Sequence, residues 1–492
     1  MFIQNNILKI ILFTPLIGIM VLVLIPSEKT VQLKTFALKI AFIPFLFTLF
    51  LLGFFNKSLC GFQYVTHILW LNLFFRIDLL LGVDGISILF LALSTFLIPL
   101  CMLASWNSIY VNIKEFLISF LLLDFFLIGA FCSLDLLFFY IFFESVLIPM
   151  FFIIGIWGSR NRKILAAYYL FFYTLLGSIF MLFGIVYVYY IAGTTDYEFL
   201  LYATPFSLKE QKILWFVFFL AFASKIPMIP FHLWLPEAHV EAPTSGSVIL
   251  AGVLLKLGVY GFIRFLIPLF KEASFYYTPL VYTLAVISII YTSFTAIRQS
   301  DFKWIIAYSS IAHMNLVILG IFSYDIIGIE GAILQSISHG FVASGLFLII
   351  GVSYDWYKTR IIGYFGGLSI TMPIYVNIFL FFTLANMSFP GTSSFIGEFL
   401  ILTSSFKTNH VVTFLGSLGI IIGGAYSLWL FNRISFGNLK TQYTQFFFDL
   451  DYWECIVFLP LILGTLIIGI YPNVVLTYTN MSVIHLVELL KL

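Results

Sequence analysis

Charge is scarce in this sequence. Only 9% of its 492 residues are Asp, Glu, Lys or Arg, whereas a globular domain carries roughly 25%. Because 62% of the residues are apolar, the chain cannot cover a water-facing surface, which excludes a soluble globular protein. The formal net charge of +2 and the scattered lysines and arginines also argue against a nucleic-acid partner.

Motifs of redox and nucleotide chemistry are missing as well. The four cysteines (Cys60, Cys101, Cys132 and Cys455) form no CxxC pair, so the spacing of iron–sulfur and zinc sites is absent. The sequence contains no GxGxxG and no Walker A pattern. We therefore expect no cofactor and no metal on this chain, and any redox or nucleotide chemistry would occur on other chains.

Apolar runs of membrane-spanning length fill most of the chain. A spanning helix needs about 20 apolar residues, and windows of that size predict an all-α polytopic membrane protein with about fourteen transmembrane helices. No small-residue cleavage site follows the first run, so we expect an uncleaved first helix. The predicted spans lie near 7–25, 35–54, 83–104, 113–132, 134–157, 163–192, 211–235, 244–270, 276–298, 302–322, 329–353, 374–406, 411–434 and 453–471.

The segments outside the spans predict an orientation. Loops after odd-numbered helices hold twelve lysines and arginines, and loops after even-numbered helices hold six. Because positively charged loops stay on the inner side, both termini are predicted to face outward. Residues 57–82, which include Arg76 and Asp78, predict an irregular outer loop, and residues 474–492 predict an interfacial segment.

A faint internal repeat relates two parts of the chain. Glu144 and Lys225 lie in helices 5 and 7, 81 residues apart, and His313 and Glu398 lie in helices 10 and 12, 85 residues apart. Helices 4–8 and 9–13 each number five, so the second copy is predicted to have inverted topology. The predicted domains are 1–110 (helices 1–3 with the outer loop), 111–272 (first repeat), 273–440 (second repeat) and 441–492 (helix 14 and tail).

Prolines predict breaks in helices 7 and 12. Pro227 follows Lys225 within helix 7, and Pro390 with Gly391 interrupts helix 12. A proline removes a backbone donor and clashes with the preceding turn. Broken helices at matching positions in two inverted repeats are typical of a transport site.

Glu144 and Lys225 are predicted to form a pair that can open and close. Separating them would let Lys225 lose its proton, because burial penalises its charged form. The alternative is a static ion pair that fixes helix packing. Lys256 lies too deep in helix 8 to snorkel and predicts a central relay site, although it could instead cap carbonyls that a broken helix frees.

Further ionisable residues extend this line through the membrane. Histidine can both accept and donate a proton near neutral pH, so His313 and His339 fit a relay, although a lone histidine is more often a core residue. Glu398 follows the break in helix 12 and would be the exit site. The predicted proton relay thus consists of Glu144, Lys225, Lys256, His313, His339 and Glu398.

Other polar residues leave two interpretations open. Asp124 lies in the middle of helix 4 with no evident role, and Asp135 lies near a helix start, where an acid stabilises the helix dipole. Four residues near the end of helix 7 could shape a proton entrance or form a solvated turn: His232, Glu237, His239 and Glu241.

Several stretches resemble the antiporter-like membrane subunits of respiratory complex I, over nearly the whole chain. Those that carry the resemblance are Phe143 to Met150, His232 to Thr244, Gly82 to Ser87, Ile306 to Asn315, Ser338 to Gly340 and Phe389 to Phe399. The pattern is most similar to plant and protist mitochondrial versions. The resemblance implies a fourteen-helix fold with two inverted five-helix repeats, and it places Glu144, Lys225, Lys256, His339 and Glu398 at the family's proton-relay positions.

The resemblance also implies a function and a location. The chain would be a proton-translocating subunit of NADH:ubiquinone oxidoreductase in the mitochondrial inner membrane, with both termini on the intermembrane-space side. Flavin and iron–sulfur clusters would lie on partner subunits, and the partners would be other membrane-arm subunits, including paralogous antiporter-like chains, and the lipid bilayer. A sodium/proton antiporter subunit and a purely structural scaffold remain the alternatives.

Overall fold

The computed structural model of the protein describes residues 2–71, 77–203, 206–443 and 448–491, and most of them are helical. The first part of the chain contains α1 (Phe2–Leu24), α2 (Thr30–Phe54), β1 (Gln63–Leu71), β2 (Ile77–Val83), α3 (Ser87–Ala104), α4 (Ile113–Cys132), α5 (Leu136–Ser145), α6 (Leu147–Trp157), α7 (Lys163–Ala192), α8 (Tyr197–Ala203) and α9 (Leu208–Lys225).

The remaining elements include two short π-helical segments. They are α10 (Trp234–Glu241), α11 (Thr244–Ile249), the π segment Leu250–Leu254, α12 (Leu255–Gly261), the π segment Phe262–Leu266, α13 (Ile267–Leu269), α14 (Lys271–Ile297), α15 (Phe302–Ile321), α16 (Ile326–Tyr357), the 3₁₀ turn Ile362–Tyr364, α17 (Leu368–Thr371), α18 (Pro373–Asn386), α19 (Ser393–Thr408), α20 (His410–Ser435), α21 (Tyr452–Ile470) and α22 (Asn473–Lys491).

The predicted all-α polytopic fold is confirmed. Within the described residues, twelve helical segments are long and apolar enough to cross a membrane. The predicted helices 7 and 12 are not among them. Helix 12 is divided into α18 and α19, which are 14 and 16 residues long. Helix 7 is divided into α9 and the short α10, and α9 carries too many charged residues in its 18. Together with these two divided helices, the twelve spans match the prediction of about fourteen.

The outer loop predicted at residues 57–82 is wrong in its conformation. Its strands β1 and β2 pair as an antiparallel hairpin, with Thr66 opposite Leu81 and Ile68 opposite Leu79. The prediction used charge and length, whereas the run Tyr64-Val-Thr-His-Ile-Leu is rich in β-branched and aromatic residues that favour a strand. Arg76 lies outside the described residues.

The chain forms two compact units. The first unit contains Met1–Ile226, Val253–Pro279 and Thr477–Leu492, and the second contains Pro227–Gly252 and Leu280–Leu476. Each unit is therefore built from segments that are distant in sequence.

Lysines from neighbouring segments cap helix ends in the first unit. The Nζ atom of Lys114 donates to the Ile25 carbonyl at 3.0 Å, just beyond the end of α1. Lys34 Nζ donates to the Trp106 carbonyl at 2.6 Å, and Lys163 Nζ donates to the Ile156 carbonyl at 2.6 Å. The last carbonyls of a helix lack intrahelical partners and carry its negative dipole end, so a cation there satisfies both needs.

The C-terminal helix α22 completes the first unit. The Gly85 backbone N–H, which precedes α3, donates to Ser482 Oγ at 3.0 Å, and Tyr478 Oη donates to the Leu52 carbonyl at 3.1 Å. A Cβ atom at Gly85 would overlap the Tyr478 carbonyl. The neighbouring Asp84 carboxylate lies 2.5 Å from Arg264 Nη2, so the start of α3 is held from two sides.

We expect Gly85→Ala to destabilise the first unit by about 1–3 kcal/mol, because overpacking against backbone forces a shift. Thermal inactivation of the assembled membrane protein measures the effect. Gly53→Ala in α2 is the matched control, since nothing lies within 4 Å of a Cβ built there. Equal inactivation temperatures for the two variants would contradict the docking role of Gly85.

Candidate functional site

Glu144 and Lys225 belong to the first unit, and each lies beside an interruption in a helix. Pro149 has no N–H to donate to the Ser145 carbonyl, and the helix is interrupted at Val146, between α5 and α6. Glu144 lies two residues before that interruption. Lys225 is the last residue of α9, which ends two residues before Pro227. Each charged residue therefore lies where a helix stops.

The two charges interact without a direct hydrogen bond. Lys225 is 2% exposed, and its Nζ atom donates to the Phe143 carbonyl at 3.3 Å and lies 4.4 Å from the centroid of the Phe143 ring. The lysine also interacts electrostatically with Glu144. Glu144 Oε1 is buried and has no hydrogen-bond partner within the described segments. The geometry resembles an opened pair more than a closed salt bridge.

Lys256 is fully buried in α12 of the first unit. The π segments Leu250–Leu254 and Phe262–Leu266 flank this helix, and such segments often occur at functional sites. A Cβ atom at Gly258 would lie 2.6 Å from Ile226 Cγ1 and 3.1 Å from the Phe222 carbonyl. Glycine at this position thus lets the helix of Lys256 approach the end of α9, which carries Lys225.

His313, His339 and Glu398 meet in the second unit. His313 Nδ1 lies 2.9 Å from Glu398 Oε1, and the ring centroids of His313 and His339 are 6.0 Å apart. Gln335 Nε2 donates to Glu398 Oε1 at 3.0 Å. Glu398 is only 2% exposed. The sequence predicted the first three residues but missed Gln335, because only the packing of α16 against α19 brings this amide to the carboxylate.

Serines satisfy backbone groups at the break of helix 12. The chain leaves α18 at Asn386 and starts α19 at Ser393, and Gly391 adopts a φ of +96° that glycine tolerates. Ser394 Oγ donates to the Ala385 carbonyl, and the hydroxyls of Ser393 and Ser338 lie 2.7 Å apart. Ser338 precedes His339, so the break adjoins the ionisable cluster.

The structure separates the remaining polar residues into two groups. Asp135 caps α5 by accepting from the Leu137 N–H at 2.8 Å and from Thr195 Oγ1 at 2.6 Å, which supports the structural interpretation. Asp124 is fully buried, and its two carboxylate oxygens find no hydrogen-bond partner among the described residues.

The end of helix 7 is not a solvated turn. His239 is fully buried and stacks on Phe347 at 4.6 Å, and Glu241 and His232 are 2% and 7% exposed. Glu237 is partly exposed. Of the two interpretations, the turn exposed to water is excluded for the three buried residues.

The described ranges contain no group of three or more His, Cys, Asp or Glu side chains that could hold a metal ion. The four cysteines are free. The ionisable groups described above are arranged as one lysine–glutamate pair, one buried lysine and one histidine–glutamate cluster. Such groups can accept and release protons inside a membrane.

Comparisons with known proteins identify relatives of this chain over nearly its whole length. The family model described as "NADH:quinone oxidoreductase/Mrp antiporter, TM" matches residues 133–423. NADH-ubiquinone oxidoreductase chain 4 of Marchantia polymorpha is 54% identical over 97% of this chain and 96% of the relative. The proteins of the same name from Arabidopsis thaliana and Chondrus crispus are 53% and 55% identical over 97% of this chain.

The fold matches a solved structure over the same length. A chain of respiratory complex I from Thermus thermophilus with bound NADH is 29% identical and superimposes with a TM-score of 0.87, covering 98% of this chain and 99% of that chain. The resemblance on which the sequence interpretation relied is thereby confirmed, and so is the helical fold of the antiporter-like subunits of complex I. The chain belongs to the NADH:quinone oxidoreductase/Mrp antiporter family of membrane proteins.

Proposed function

We propose that this chain is the proton-translocating membrane-arm subunit of an NADH:ubiquinone oxidoreductase. One observation carries the mechanism: His313 Nδ1 lies 2.9 Å from an oxygen of the buried Glu398 carboxylate, which Gln335 also contacts. A histidine and a carboxylate at hydrogen-bond distance can exchange a proton without moving far. The redox chemistry that drives the transfer occurs on partner subunits, which carry flavin and iron–sulfur clusters.

Each unit contributes its own proton-carrying groups. In the first unit, Lys225 alternates between an ammonium held near Glu144 and a neutral amine, and Lys256 is the next carrier. In the second unit, His339, His313 and Glu398 carry the proton onward. The helix interruptions beside Glu144, Lys225 and Glu398 supply backbone polarity where the transfer takes place.

The same proposal gives the membrane, the orientation and the partners of the chain. The chain resides in the mitochondrial inner membrane with both termini on the intermembrane-space side, as the loop charges predict. Its partners are the other membrane-arm subunits, including paralogous antiporter-like chains, and the lipid bilayer. The predicted repeats at 111–272 and 273–440 are the functional halves.

A sodium/proton antiporter subunit is the second candidate, because the family also contains Mrp antiporters. Sodium prefers several oxygen ligands, as other hard cations do. The buried carboxylate of Glu398 instead contacts two nitrogen atoms, one each from His313 and Gln335. The nitrogen contacts favour protons as the transported ion.

Lys256→Met is expected to lower NADH-driven proton uptake at least ~10-fold, because a positioned proton-transfer group typically contributes ~100-fold or more. The assembled complex in sealed vesicles is the sample, and proton uptake and NADH oxidation are both measured. Lys209→Met, which removes an exposed lysine from the start of α9, is the matched control and should pump normally. Unchanged uptake in an assembled Lys256 variant would support the scaffold alternative.

Complete removal of sodium is expected to leave NADH-driven proton uptake unchanged, because the proposed carriers bind protons alone. The same vesicles are prepared in potassium buffers, and uptake is compared with and without added sodium. A loss of uptake that sodium restores would make the antiporter the better interpretation.

A further inference from the structure

A second set of buried charges lies in the second unit, apart from the residues proposed above. We call Glu241, Asp301, Lys303, Asp355 and Arg360 the inner charge cluster. Lys303 and Glu241 are each 2% exposed and Arg360 is fully buried. Asp301 is partly exposed and Asp355 is exposed, so the cluster extends from the surface into the protein.

The loop charges place this cluster on the predicted inner side. Three connections meet there: the end of α10, the start of α15 and the segment after α16. All three follow odd-numbered spans, whose loops hold the excess of lysine and arginine. The cluster is therefore positioned to face the compartment from which protons are taken up.

Lys303 is the buried lysine at the centre of the cluster's contacts. Its Nζ atom donates to the Ala242 carbonyl at 2.8 Å and lies 3.4 Å from Ser247 Oγ. Asp301, Glu241 and Asp355 attract its charge, and Arg360 repels it. A buried lysine beside acids and another cation can hold a proton and also release it, because its desolvated ammonium is costly.

Arg360 is a fixed charge that orders the cluster. Its Nη1 atom donates to the Val240 carbonyl, its Nε atom lies 3.5 Å from Asp301 Oδ2, and its Nη2 atom lies 3.9 Å from Glu241 Oε1. The backbone adds two bonds between the same segments, from Phe302 N–H to the Arg360 carbonyl and from Ile362 N–H to Ser300. An arginine stays protonated in proteins, so it positions the acids without carrying a proton.

Glu241 retains accepting capacity. Its Oε2 atom is buried and has no hydrogen-bond partner in the described ranges. A buried carboxylate oxygen without a donor is costly, and a cation nearby reduces that cost. The cluster therefore contains a buried lysine that can carry a proton and a buried carboxylate that can balance its charge.

The helix of Lys303 also carries the proposed proton site of this unit. His313 lies ten residues further along α15, which corresponds to a rise of about 15 Å. Buried hydroxyls lie between them, since Ser309 and Ser310 are each 1% exposed. One helix thus joins the inner charge cluster to the pair formed by His313 and Glu398.

We propose that Lys303 is a proton-loading residue for the second unit, supplied from water at Asp301 and Asp355. The Lys303 amine takes one proton from the aqueous side to become an ammonium, and it returns to the amine when that proton passes toward His313. Glu241 balances the charge while Lys303 is protonated. The inference rests on the proposed function, because it assigns a further residue to the same proton transfer.

A purely structural role predicts a different outcome. Lys114 in the first unit donates to carbonyls beyond the end of α1, as Lys303 does to Ala242 at the end of α10. If capping were the whole role of Lys303, an arginine would replace it, because arginine also donates hydrogen bonds from a permanent charge. If Lys303 carries a proton, arginine cannot replace it.

The experiment compares Lys303→Arg and Lys303→Gln with the matched control Lys114→Arg in sealed vesicles that contain the assembled complex. Proton uptake, NADH oxidation and assembly on native gels are measured together. Both Lys303 variants are expected to assemble and to lose at least ~10-fold in proton uptake, whereas Lys114→Arg keeps the normal rate. Normal uptake by Lys303→Arg overturns the proposal.

Two further readouts keep the test decisive. If Lys303→Arg does not assemble, Lys303→Gln, which retains a donor for the Ala242 carbonyl, decides alone, and normal uptake by it overturns the proposal. Lys256→Met is measured in the same preparation. Loss of uptake in that variant with normal uptake in Lys303→Arg overturns only the role of Lys303, and normal uptake in both variants overturns the proposed function itself.

Discussion

The cost of burying charge in a membrane is the constraint on which the rest of this structure depends. A continuous helix satisfies its own backbone and offers nothing to a buried ion, whereas an interrupted helix exposes carbonyl and N–H groups that lipid cannot satisfy. In this chain the buried charges and the unsatisfied backbone groups occur at the same places. Lys225 ends α9, Glu144 precedes the interruption at Val146, and Glu398 lies in the second turn of α19, which begins after the break. Each interruption supplies the polarity that its charged neighbour requires.

The distribution of lysine reflects a second electrostatic demand. Lys34, Lys114 and Lys163 belong to the excess of positive charge in the odd-numbered loops, and each donates to carbonyls at or beyond the end of a helix. Helix dipoles place negative partial charge at those ends. The residues that predict the orientation of the chain thus also stabilise the ends of its helices, and one set of substitutions would affect both properties.

Much of the fold could be predicted because membrane spans are long and apolar, and because Pro227 and Pro390 mark breaks that short windows detect. The interruption beside Glu144 was not predicted, because the helix resumes after a single residue. Pro149 is the sequence feature that indicates it. Gln335 and the burial of Glu241 could not be predicted, since both depend on which helices pack together. Contacts between α16 and α19, far apart in sequence, bring Gln335 to Glu398.

The hydrogen bond between Gly85 and Ser482 joins positions 397 residues apart in the chain. Residue 85 is synthesised long before residue 482, so the start of α3 initially lacks its hydrogen-bond partner. The first unit can reach its final packing only after synthesis of the entire second unit is complete. The first unit is therefore begun first and finished last. A factor that shields the surface that α22 later covers would act on the first unit during this interval.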